Sequence, residues 1–270
     1  MRGTLPEGLG DAIRGTAEEI AALLRGVADT GVPVPGSQWS LGAAAAHLAQ
    51  ANELMADIAA GRERSHGDGT PQSLAAANER ALAEFGERAA DPLAGMIVEQ
   101  AAAFLKAVDE RAGEGAVEVA LFTPLGPMSP AELGSYLLTH MLGHGYDLAR
   151  ALGRRPQMID RVRVELALPF LIRAMPRVVD AANSAGLNAR YTIRLWGGAR
   201  FGVTFTDGDV AVSPQPPGRP DCTILTEPVT FLLMALGRCE PWGAMARGRV
   251  VAWGRKPWLA PRFPTLFTAP

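Results

Sequence analysis

The chain has 270 residues, 48% of them hydrophobic and 20% charged, with a formal net charge of −2. That length leads us to expect two domains, and the near-neutral balance offers no basic field for nucleic acid or an anionic membrane. The amino terminus, Met1-Arg2-Gly3-Thr4-Leu5-Pro6, lacks the apolar core of a signal peptide, and no stretch reaches the ~20 apolar residues of a membrane span, so a cytoplasmic protein is expected. Cys222 and Cys239 are too few for a disulfide framework and too far apart for a CxxC pair; they read as buried small side chains.

In chain order, Ile13, Ala17, Ile20, Leu24 and Val27 recur in steps of three and four, an apolar stripe predicting a helix that stops near Thr30-Gly31. After a Pro/Gly loop, Ser40 is placed to cap a second helix, on which His47 shares a buried face with Ala44, Ala51, Leu54 and Ile58. Residues 61–70, rich in Gly, Arg and Ser, read as an exposed loop, and His66 within it is given no metal role. A third helix is expected from about Ser73, and a fourth opening with Asp91 as N-cap and Pro92 at the first helical position.

The next helix has the strongest start signal. Ser129-Pro130-Ala131-Glu132 combines an N-cap serine, proline at the first position and the capping-box glutamate, and Gly153 supplies the stop. Along it Leu133, Leu137, His140, His144 and Asp147 fall on one face. The chain has only four histidines, and two lie one turn apart here, at the spacing with which a helix presents two nitrogen ligands to one metal ion. With His47 from the second helix they make three neutral ligands and an open fourth position, the composition of a catalytic rather than a structural site.

Beyond Gly153 the pattern changes. A helical stretch over residues 160–182 contains Pro169 and Pro176 and is expected to be bent or broken. Alternating runs at 191–196, 201–205 and 210–212 predict strands, the last two joined by the hairpin dipeptide Asp207-Gly208. A strand at 222–225, a helix capped by Thr226-Glu227-Pro228 and ending near Gly237, and a last strand within 247–254 complete an α+β region. The expected architecture is thus an all-α four-helix bundle over residues 1–155 followed by a smaller α+β domain over 156–270.

Trp39-Ser40 with Ala46-His47-Leu48-Ala49, and then the run from His144 through Gly145-Tyr146-Asp147 to Gly153, resemble the mycothiol-dependent maleylpyruvate isomerase family of DinB-like metal-binding bundles. Residues 191–263 resemble the sterol carrier protein type 2-like domain that often follows such bundles. The resemblance implies a divalent metal, most often zinc, held by His47, His140 and His144, and mycothiol as the thiol co-substrate. It departs at His140, where the isomerase subgroup carries glutamate and other DinB-like members carry histidine.

A metal at an open position stabilises a thiolate over its thiol, so S-transfer to a small electrophile, or thiol-assisted isomerisation of one, is the expected reaction. Asp147 lies three residues past His144, where it can orient a ligating imidazole. The resemblance also implies an arginine from the second domain, Arg238 first and Arg247 second, holding an anionic group. The helices themselves are expected to supply neither an apolar wall nor a positive group, so the second domain is expected to close over the metal. Trp196, Trp242, Trp253 and Trp258 are expected mainly as core residues; if they instead line a cavity, the alternative function is a hydrophobic-ligand carrier with a structural bundle.

Overall fold

The structure is a computed structural model that describes residues 5–62, 64, 66, 71–113 and 120–268, the backbone alone for 71 and 72. The expectations for residues 1–4, and for most of the 61–70 loop, lie outside the described residues. The chain divides into two compact units, Met1–Ile159 and Asp160–Pro270.

Among the described residues the first unit contains five helices: α1 (Leu9–Leu24), α2 (Leu41–Ala59), α3 (Pro71–Glu84), α4 (Ala90–Gly113) and α5 (Pro130–Ala151). Helix α1 packs on α4 and α5, and so does α2; the four form a closed bundle with α3 set beside α2. The core is built by Ile13, Ile20 and Leu24 of α1, Leu48 of α2, Leu93, Ile97 and Phe104 of α4, and Leu137 and Leu142 of α5, all fully buried. Because α2 and α5 are bundle neighbours, the histidines of one face those of the other.

Three local readings are corrected. Helix α1 ends at Leu24, six residues before the expected stop, because Gly26 takes a left-handed φ of 74° that halts the spiral. Asp91 does not cap α4; it lies inside the first turn, and its Oδ1 accepts the amide of Gly26 at 2.8 Å, tying the end of α1 to the start of α4. The unit is also not wholly helical, since β1 (Leu121–Thr123) and β2 (Gly126–Met128) form a short antiparallel hairpin ahead of α5. The capping box on α5 forms as read, with Ser129 accepting from the Glu132 amide and Glu132 accepting from the Ser129 amide.

In the second unit, Asp160 caps α6 (Arg161–Ala174), which carries Pro169 internally and gives way at Pro176 to a 3₁₀ turn and a short α7 (Ala181–Ser184). Five strands follow: β3 (Ala189–Leu195), β4 (Arg200–Thr206), β5 (Asp209–Ser213), β6 (Cys222–Thr226) and β7 (Val250–Trp253). They form one mixed sheet in the order β5-β4-β3-β6-β7, parallel only between β3 and β6. Both hairpin residues between β4 and β5 have positive φ, Asp207 at 51° and Gly208 at 93°, as a two-residue turn of primed type requires. Helix α8 (Pro228–Ala235) is capped by Glu227, and α9 (Pro241–Ala246), which the sequence pattern does not announce, precedes β7.

The four tryptophans of this unit correct their expectation. Trp196, Trp242, Trp253 and Trp258 are 39–67% exposed, so they do not fill the core. The core is made instead by Tyr191, Phe201, Phe205 and Phe263. The apolar void bounded by Ile193, Ile224, Phe231, Met234 and Phe263 measures about 20 Å³, room for roughly one water. No helix among the described residues is long and apolar enough to cross a membrane.

Candidate metal centre

Helix α2, started by the Ser40 side chain on the Ala43 amide, carries His47 two turns in. Helix α5 carries Tyr136, His140, His144 and Asp147 at successive turns of one face. Where the two helices meet, one ligand nitrogen from each of His47, His140 and His144 falls within 4.8 Å of the others. The Nε2 atoms of His47 and His140 are 3.2 Å apart, close to the edge of about 3.3 Å that a tetrahedral zinc with Zn–N bonds of about 2.05 Å imposes on two of its ligands. Two neutral imidazoles at that distance either share one hydrogen or turn both lone pairs to a common cation. The three nitrogens make a donor set that could hold a divalent metal ion.

The surroundings keep the donors in the form a metal needs. Burial, and then the charge of His66, lower the pKa of His47 to about 4, so its ring is neutral at physiological pH. Asp147 Oδ2 lies 3.8 Å from His144 Nδ1, both side chains largely shielded, a carboxylate placed where it can orient that imidazole. Trp39 covers the cluster from the loop before α2, its ring 4.8 Å from that of His47 and 6.1 Å from that of His144, nearly parallel to the latter.

Beside the cluster, and wholly within the first unit, opens a cavity of about 470 Å³ with His47 and His140 in its wall. Leu54, Met55, Ile58, Leu74 and Leu133 make an apolar side; Arg64, His66, Asn78 and Tyr136 contribute polar groups. The expectation that the helices lack an apolar wall is thus corrected; the cation beside it, Arg64, comes from the loop after α2. Arg64 pairs with Asp57 at 2.9 Å and Glu53 at 3.7 Å. Burial pushes the Tyr136 phenol up to about 12, so it stays a hydrogen-bond donor.

The structure therefore brings His47, His140, His144 and Asp147 together. Arg238 lies in the second unit just past α8, its guanidinium donating to the Leu236 carbonyl, and Arg247 is an exposed residue that ends α9. Sequence reasoning missed Trp39 as a cover, Arg64 and Tyr136 as cavity groups, and above all His66, which is half-buried in the cavity wall with Nε2 at 2.7 Å from Asn78 Oδ1.

Comparison with known proteins gives the same two-part picture. A solved structure titled "Crystal structure of the mycothiol-dependent maleylpyruvate isomerase" superposes with a TM-score of 0.55 at 16% identity, covering 92% of this chain and 93% of that one. A histidine-to-alanine mutant of that isomerase gives a TM-score of 0.55 at 15% identity over the same shares. At such identity the likeness is one of fold. A comparison with curated proteins found no match. Residues 173–254 match the SCP-2 sterol transfer family. Residues 13–149, which carry the whole histidine cluster, match the mycothiol maleylpyruvate isomerase N-terminal domain, and the chain belongs to that family.

Proposed function

We propose that this protein is a metal-dependent enzyme that uses a low-molecular-weight thiol, mycothiol, for S-transfer to, or isomerisation of, a small electrophile. The observation that carries the reading is the convergence of three histidine nitrogens within 4.8 Å on a bundle of this family. His47, His140 and His144 would hold zinc, which when bound favours a thiolate at neutral pH. The chain's own residues do the rest. Asp147 fixes the ring of His144, Trp39 keeps bulk water from the cluster, and the adjoining cavity gives the electrophile an apolar wall. In the second unit, Arg238 and Arg247 are the candidates for holding an anionic group of either substrate.

Purified protein is expected to contain about one metal per chain, and His144→Ala is expected to lose it together with mycothiol-dependent turnover. Stoichiometric metal in a variant with all three histidines replaced by alanine would remove the site.

A further inference from the structure

Three of the chain's four histidines, His47, His66 and His140, line one cavity. His47 and His140 also meet His144 in the cluster, whereas His66 comes from the loop after α2. Its partner is defined. An amide oxygen only accepts, so the 2.7 Å contact between His66 Nε2 and Asn78 Oδ1 places the hydrogen on Nε2 and leaves the lone pair of a neutral ring on Nδ1. A base held in one tautomer by a neighbour is the arrangement that acid–base catalysis requires.

The other titratable groups of the cavity are less suited to that task. Glu53 of α2 and Glu84 of α3 are exposed, and Glu53 is engaged by Arg64. Arg64 of the loop is a cation engaged by Asp57 and Glu53. On α5, Tyr136 keeps its proton, and His140, like His47 on α2, is assigned to the metal.

Resting on the thiol reading above, we propose that His66 is a catalytic residue, its Nδ1 taking the proton from the thiol and returning it to the electrophile's carbon. In the step this serves, the S–H bond breaks as the proton passes to Nδ1, and sulfur forms a bond to one carbon of a carbonyl-conjugated double bond. The π pair moves to the neighbouring carbon, which receives the proton from Nδ1; the ring ends neutral and nothing is oxidised or reduced. Run backwards after rotation about the new single bond, the same proton relay releases the thiol and an isomerised alkene.

The test uses the full chain loaded with one equivalent of zinc, with mycothiol and, as probes, maleylpyruvate and the uncharged enone cyclohexenone. His66→Gln keeps an N–H for Asn78 but transfers no proton; it is expected to lower kcat about 100-fold or more, with KM within about threefold and zinc content unchanged. The acid limb of the wild-type pH profile should vanish in His66→Gln over the range in which zinc stays bound. In Asn78→Asp it should move to higher pH, because a carboxylate favours the imidazolium. A His66→Gln enzyme with wild-type kcat, one that keeps the limb, or one that loses its zinc overturns the proposal while leaving the thiol reading in place. Wild-type protein without mycothiol-dependent turnover of either probe overturns both.

Discussion

His47 shows how one buried side chain ties stability to pH. In the unfolded chain its imidazole titrates near 6.5, whereas in the metal-free fold burial holds it at about 4. Between those values the unfolded state binds the extra proton. Stability is therefore complete above about pH 6.5 and falls as pH drops toward 4, by about 3 kcal/mol at most. Denaturant titrations of the metal-free protein at pH 7 and pH 4.5 should show the loss, and His47→Asn should flatten it; an unchanged slope would mean that His47 is not the group responsible. At Asp147, replacement by asparagine removes the charge facing His144 Nδ1 and is expected to weaken metal binding about 10- to 100-fold, measured by chelator competition. The histidine cluster was legible at this scale because i,i+4 spacing on a capped helix needs no tertiary knowledge. His66 was not, because its environment depends on Asn78 twelve residues away on a helix whose packing no local pattern encodes.

At the scale of elements, the site depends on how closely α5 approaches the rest of the bundle. Gly145, next to His144, has Ile20 of α1 where a side chain would begin: a Cβ there would stand 3.0 Å from Ile20 Cγ1. Gly145→Val must push the helices apart, with an expected cost of about 1–3 kcal/mol and weaker metal binding as His144 shifts. A variant with wild-type thermal stability and metal affinity would show that α5 has slack the packing does not suggest. Element identities were largely readable, since apolar period, caps and hairpin dipeptides are local. Element ends were less so. The apolar stripe of α1 continues through Val27, yet the backbone leaves the helix after Leu24, and Asp91 binds the amide of Gly26, 65 residues earlier, instead of capping its own helix. A carboxylate beside a helix start has two sets of amides within reach, and only the packing of α1 against α4 decides which it takes.

At the scale of the whole molecule, the three clustered histidines and the cavity beside them belong to the first unit alone. The exposed tryptophans belong to the second, and there the sequence reading failed for a physical reason: aromatic side chains favour burial on average, but the sheet's core positions are already taken by Tyr191, Phe201, Phe205 and Phe263. Metal binding should accordingly separate from the second unit. A fragment ending at Ile159 keeps all three histidines, Asp147, Trp39 and the four bundle helices with their core. It is expected to fold with the helical content of the intact unit and to bind zinc with an affinity within about tenfold of the full chain, since every donor comes from its own packed helices. Isothermal titration of the fragment and of the full chain compares them directly. A fragment that is helical and cooperative on melting yet binds no zinc would show that the histidine cluster is not a complete metal site by itself and that the second unit supplies part of it.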